Sequence, residues 1–168
     1  MKNVNVWRLS THHIDRNAGL TWVRKNERIA IGWGLIGDIR QYKSKDEIRA
    51  AIKKHYPVPP YKNNAHWGAP SLWDLCHTVK QGDLIILSGA TPRTLVVQVV
   101  GDYEYKEDAP LIGGTTDGEY RYQRAIKVTA YDPEKIWAAV GAAPGKSRYQ
   151  TLIQCAQSID VDGASSSS

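Results

Sequence analysis

Phenylalanine is absent from this 168-residue chain, methionine occurs once and cysteine twice. Cys76 and Cys155 are far apart and form no C-x-x-C or Cys/His ligand pattern, so neither a disulfide framework nor a zinc site is expected. They read as reduced thiols of a cytoplasmic protein. No apolar stretch approaches the roughly 18 residues that span a bilayer. The opening residues, Met1-Lys2-Asn3-Val4-Asn5-Val6, begin a strand-like pattern at once and show no h-region or cleavage site of a signal peptide. The G-x-S-x-G elbow and the P-loop are both missing, which removes common serine-hydrolase and NTPase signatures. His12 and His13 are adjacent, would point to opposite sides of a strand, and have no carboxylate at ligand spacing. No metal and no cofactor is expected.

What is present is positive charge and aromatic groups with a polar handle. The net charge of +5 and the pI of about 9.2 favour polyanionic partners without naming one. Six tryptophans and nine tyrosines carry all the aromatic content. Each joins a flat π face to a hydrogen-bonding group, which suits wet binding surfaces and base stacking. The length fits one domain over residues 1–160, with residues 161–168, ending in serines, as a disordered tail or linker stub.

The local pattern predicts about six strands with helices between the early ones. Val4, Val6 and Arg8-Leu9 read as a first strand, residues 18–25 as a short helix and 28–31 as a second strand. That strand runs into Gly32-Trp33-Gly34, where two glycines allow a sharp turn that presents the indole in a loop. Ser44-Lys45-Asp46-Glu47 is a capping box, opening a helix that ends before Pro57. Residues 58–64 read as a loop that extends through Trp67, and Pro70 starts a helix ended by Gly82. Residues 83–87 and 94–100 form a hairpin, with a bulge or bend at Gly101-Asp102, and 121–131 form a further strand. Asp132-Pro133 caps a short helix, and 147–158 reads as a final one. Strands and helices do not alternate along the chain, which argues against a doubly wound sheet.

Six blocks stand in order. They are Val6-Trp7-Arg8-Leu9-Ser10; Ile29-Ala30-Ile31-Gly32-Trp33-Gly34 with Gly37-Asp38; Ser71-Leu72-Trp73-Asp74-Leu75; Lys80-Gln81-Gly82-Asp83-Leu84-Ile85-Ile86; Val97-Gln98-Val99-Val100-Gly101-Asp102-Tyr103-Glu104-Tyr105; and Tyr120-Arg121-Tyr122-Gln123-Arg124. Together, over residues 4–158, they resemble the EVE-like domains of the PUA-like superfamily attached to Mrr-type and McrB-type modification-dependent restriction systems. The last block departs from that family's Tyr-x-His-x-Arg stretch, with Tyr122 and Gln123 where a histidine is expected. The resemblance implies an α+β fold, a PUA-like small mixed β-barrel with peripheral helices. It also implies a non-catalytic reader that binds DNA and flips a methylated or hydroxymethylated base into an aromatic pocket. Nuclease or NTPase activity would belong to another domain or a partner. A more distant resemblance to YTH domains implies that Trp33 forms one wall of a methyl-base cage and that Ser10, Thr11 and His12 hydrogen-bond the base edge.

An extrahelical base loses stacking, and aromatic walls return about 1–3 kcal/mol per stacked base. Trp22 and Trp67 are candidates for a second wall. Tyr103, with Tyr105 on the same strand face, lines the barrel mouth or forms a cross-strand ladder, and Asp38 braces the Trp33 loop or serves as a plain turn residue. Trp73 and Trp137 read as packing, and Trp7 faces either way. Arg93, Lys43, Lys62, Arg121 and Arg124 are the phosphate candidates. Double-stranded DNA is the favoured partner, with RNA open. Two other readings stand beside this one. One is an ASCH-type RNA- or nucleotide-directed hydrolase, using Lys127 or Lys80 with a carboxylate. The other is a scaffold domain of a larger protein.

Overall fold

The computed structural model describes residues 3–11, 15–57, 65–89, 91, 93–109, 120–142 and 150–161. In chain order these form β1 (Asn3–Val4), β2 (Val6–Ser10), α1 (Arg16–Asn26), β3 (Arg28–Ile31), α2 (Lys45–His55), α3 (Ala65–Trp73), β4 (Leu84–Ser88), β5 (Leu95–Tyr105), β6 (Tyr122–Val128), α4 (Pro133–Val140), β7 (Leu152–Gln154) and β8 (Ile159–Asp160). None of the described helices is long and apolar enough to cross a membrane.

Period-two alternation in two strands organises the core. In β2, Val6 joins one apolar cluster while Trp7 and Leu9 join another; in β4, Leu84 and Ile86 face the first cluster, Ile85 and Leu87 the second. All of β4 is therefore buried, as expected of a strand covered on both faces. Ile136 and Val140 of α4 cover one face; Leu20 of α1, Ile48 and Ile52 of α2 and Leu72 of α3 cover the other.

The main sheet has the order β3-β6-β5-β4-β2-β7, and β1 pairs with β8 in a separate two-stranded ladder. Only the β2–β4 pairing is parallel; the remaining described pairings are antiparallel. The fold is thus α+β with a mixed six-stranded sheet. Among the described residues no pairing joins its outer strands, β3 and β7, so the ladder is open and does not close into the expected barrel.

Locally coded elements fall where the sequence places them. The Ser44 hydroxyl accepts from the Glu47 amide at 3.2 Å to cap α2, and Asp132 accepts from the Glu134 amide at 2.9 Å ahead of Pro133. Two expectations fail. The final helix does not form over 150–158, because the free edge of β2 recruits that segment. Ser10 donates to the Thr151 carbonyl at 2.9 Å, Cys155 donates to that of Val6 at 2.8 Å, and Leu152 and Ile153 are buried as strand residues. Trp67 lies on α3, which starts at Ala65 and carries Pro70 within it. Burial of Ala65, Gly68 and Ala69 against the core outweighs the helix bond that Pro70 cannot make. The expected loop at 58–64, residues 147–149 of the expected last helix and residues 162–168 of the tail lie outside the described residues.

One buried carboxylate joins β2 to the entry of β4. Asp83 accepts from the Trp7 indole at 3.0 Å, from the Lys80 amide at 3.0 Å and from the Asn5 amide at 3.3 Å. Asp83→Ala leaves these donors unpaired and is expected to cost about 2–3 kcal/mol in urea unfolding, with native circular dichroism retained.

Candidate functional site

The segment between β3 and α2 folds as two 3-10 turns, Gly34–Ile36 and Ile39–Gln41, joined at Gly37. Gly37 has φ +79°, and a side chain there would also meet Gln41 Nε2 at 2.8 Å. Trp33 is left-handed as well (φ 64°, ψ 34°), a conformation that costs an L-residue about 1–2 kcal/mol. Gly32-Trp33-Gly34-Leu35-Ile36-Gly37 has G-x-G-x-x-G spacing. The dinucleotide fingerprint needs a long α-helix opening directly from the turn and a βαβ unit. Here short 3-10 turns follow an edge strand paired antiparallel to β6.

Four tyrosine hydroxyls hold this loop. Tyr56 accepts from the Leu35 amide at 3.1 Å, and Tyr42 donates to the Ile36 carbonyl at 2.5 Å. The Tyr122 hydroxyl lies 2.9 Å from the Trp33 carbonyl and 2.8 Å from that of Gly37, sharing its one hydrogen between them. Tyr103 donates to Asp38 Oδ1 at 2.9 Å and accepts from the Ile39 amide at 3.1 Å. Burial pushes the Tyr103 and Tyr122 hydroxyls far above the ordinary phenol range, which keeps both as donors. Phenylalanine would fill the same volumes and leave the loop's polar groups unpaired. The Trp33 ring is half-buried and rests on α3 at Gly68, where an added Cβ would stand 3.0 Å from the indole.

Asp38 caps the second turn by accepting from the Arg40 amide at 3.0 Å, and it binds the Arg40 guanidinium at 2.6–3.2 Å. Desolvation raises the Asp38 carboxyl, but the hydrogen bonds from Arg40 and Tyr103 outweigh it and hold the group below its usual value. Arg40 also stands over the Tyr103 ring, 5.6 Å from its centroid.

Beyond Tyr103 opens a surface cleft of about 460 Å³, lined in part by Arg40, Cys76, Lys80, Asp102, Tyr103 and Arg124. Two irregularities meet there. α3 ends in a π-helical turn, Asp74–Thr78, and the β5–β6 register shifts between Val99 and Tyr103. Arg124, 3% exposed, bridges them; it donates to the carbonyls of Leu75 and Val79 on one side and to Gly101 at 2.9 and 3.0 Å on the other. Gly101 is required for this approach, since a Cβ there would stand 2.9 Å from that of Ala125. Burial pushes the Cys76 thiol up to about 11, so it is not a thiolate nucleophile at neutral pH. No group of three or more His, Cys, Asp or Glu side chains among the described residues is placed to hold a metal ion.

Residues 7–139 match a family described as a domain of unknown function (DUF8426). The chain belongs to this family. No curated protein matches it. The matched span of the DUF8426 domain takes in the Trp33 loop, its four tyrosines and the cleft.

The expected pocket residues of the DUF8426 domain are placed unevenly. Asp38 and Tyr103 join the Trp33 loop directly. The Thr11 hydroxyl is buried and taken up by the carbonyls of Arg16 at 2.8 Å and Ser88 at 2.9 Å, so it ties β2 to α1 and β4 instead of presenting to a base edge. Ser10 is half-buried at the end of β2, in register with Ser88. Trp22 is half-buried and packs on Ala30 and Tyr120; the Trp67 ring lies 4.0 Å from that of His66. Trp7 is fully buried, while Trp73 stacks near His77 at 4.2 Å. His12 and Lys62 lie outside the described residues.

The phosphate candidates do not form one patch. Arg124 is an internal brace, its donors spent on carbonyls, so it is not an exposed phosphate ligand. Arg93 binds Glu134 of α4 at 2.9 Å and stacks 5.1 Å from the Trp137 ring, which neutralises it locally. Arg121 donates to the Tyr105 hydroxyl at 3.1 Å. Lys43 is exposed ahead of α2, its amide held by Glu47. Of the two hydrolase candidates, Lys80 lines the cleft with Asp102, and Lys127 is exposed on β6. Sequence reasoning missed Arg40 and His77 as cleft residues; its one signal was the break at Gly101-Asp102, since bulges gather beside sites.

Tyr122→Phe is expected to lower stability by about 1–3 kcal/mol. It should also speed amide exchange at Ile36 and Gly37, whose amides bond within the loop. Because Asp38 is depressed, its contribution is complete above the unfolded carboxylate value of about 3.9 and fades as pH falls through its lower folded value. Exchange of the Arg40 amide, measured down a pH series and corrected for intrinsic rates, should lose protection below that range, and Asp38→Asn should flatten the trend.

Proposed function

We propose that this domain is a non-catalytic nucleic-acid reader that holds one modified base against Trp33, within a PUA-like module of the EVE/YTH kind. The observation that carries the reading is the Trp33 loop. A bulky residue is kept in a left-handed conformation within a loop fastened by four tyrosine hydroxyls, and its half-buried ring rests on α3 at Gly68, so the indole is held before any ligand arrives. A fixed indole offers a flat face without ordering cost, which is what an extrahelical base needs in place of its lost stacking. The net positive charge supports a polyanionic partner. Service to a restriction or defence system in the cytoplasm, with cleavage carried out by another domain, completes the proposal.

The test is a fluorescence-polarisation panel at fixed salt. Its ligands are one duplex unmodified or carrying 5-methylcytosine, 5-hydroxymethylcytosine or N6-methyladenine, and an RNA counterpart. A preference of about tenfold (about 1.4 kcal/mol) for one modified form is expected. Trp33→Ala should abolish the preference while the protein stays folded, and Gly68→Ala should weaken it by displacing the ring. Equal affinities across the panel, or an unchanged preference in folded Trp33→Ala, would overturn the reading.

A further inference from the structure

The cleft beside the Trp33 loop has its own chemistry. Its volume of about 460 Å³ is that of a small-molecule site. Three cationic side chains, Arg40, Lys80 and Arg124, line it against one carboxylate, Asp102. They differ in what they have left to give. Arg124 is buried and committed to the uncharged carbonyls of Leu75, Val79 and Gly101, so it supplies a fixed positive field, whereas the Arg40 charge is offset by its ion pair with Asp38. Lys80 is exposed on the rim, and its ammonium makes no hydrogen bond or ion pair with a described residue. Asp102 accepts from Gln81 at 3.0 Å.

The backbone around the cleft is irregular on both sides. A π-helical turn and a β-bulge each sacrifice regular hydrogen bonding, and each is enriched beside functional sites. Here they border one cleft and are locked together by a single buried arginine. That construction holds a positive floor rigid under an open rim.

We propose that this cleft binds a phosphate group of an organic phosphate, with Lys80 as the direct contact and Arg124 as the fixed charge that favours the anion. The site does not depend on Trp33 holding a base. A free nucleotide and the backbone of a nucleic-acid strand carry the same group, and the experiment separates them.

The full chain would be titrated by NMR, at low salt, with inorganic phosphate, with cytidine 5′-monophosphate and with a short unmodified single-stranded oligonucleotide. Saturable shifts at the Lys80, Gln81 and Asp102 amides are expected with at least one of them. Shifts with the mononucleotide point to a free nucleotide, and shifts with the oligonucleotide alone point to a strand. Lys80→Ala should weaken the binding about tenfold, the scale of one charge-assisted hydrogen bond. Asp102→Asn, which removes the only carboxylate among the described lining residues, should tighten it, and Lys25→Ala, outside the cleft, should leave it unchanged. Opposite signs for the two cleft variants separate a ligand contact from general loss of structure. Failure of all three ligands to shift these amides would overturn the proposal, as would equal affinities in wild type, Lys80→Ala and Asp102→Asn.

Discussion

Four tyrosine hydroxyls converge on one loop, and the arrangement of the site follows from them. The segment between β3 and α2 has no regular ladder of its own. It must place Trp33 in a conformation that costs about 1–2 kcal/mol. Each hydroxyl bond contributes on the order of 1 kcal/mol net, so four of them outweigh the strain and still leave the loop fixed. The hydroxyls come from separate places: Tyr42 at the loop's end, Tyr56 after α2, Tyr103 on β5 and Tyr122 on β6. The loop is therefore locked to the sheet on one side and to the helical layer on the other. This also accounts for the absence of phenylalanine at these positions, where filling the volume is half of the task.

The same anchoring ties the loop to the cleft. Tyr103 holds Asp38, Asp38 holds Arg40, and Arg40 returns over the Tyr103 ring into the cleft. Arg124 then fixes the cleft's floor by joining the π-helical turn to the β5 bulge. A displacement of the bulge would reach the Trp33 loop through Tyr103, one ring away, and through β6, which carries both Arg124 and Tyr122. Two surfaces of different chemistry, one aromatic and one cationic, are thus held at a fixed spacing by a short chain of side chains.

How much was legible in the sequence depended on how local the code was. The capping box at Ser44, the Asp132-Pro133 start of α4 and the β4–β5 hairpin were readable because their signals lie within a few residues. The Trp33 loop was readable as a turn from its flanking glycines. Its tyrosine clamp was not, because each hydroxyl's partner is chosen by sheet register and helix packing. The segment after Gln150 was misread because a short apolar run fits helix or strand, and the unpaired edge of β2 decided between them. Arg124 looked like a surface cation. Only the meeting of the π-helical turn and the bulge shows that it is interior. The cleft draws on residues from position 40 to position 124, and no motif spans that distance.

The most direct test of a pre-fixed Trp33 wall is to follow the Trp33 indole N–H by NMR, assigned through Trp33→Tyr, while titrating the preferred modified duplex and its unmodified twin. The account predicts a single sharp indole resonance in the free protein, shifted saturably by the modified duplex and little changed by the unmodified one. An indole resonance that stays in place while the modified duplex binds elsewhere on the domain would contradict it.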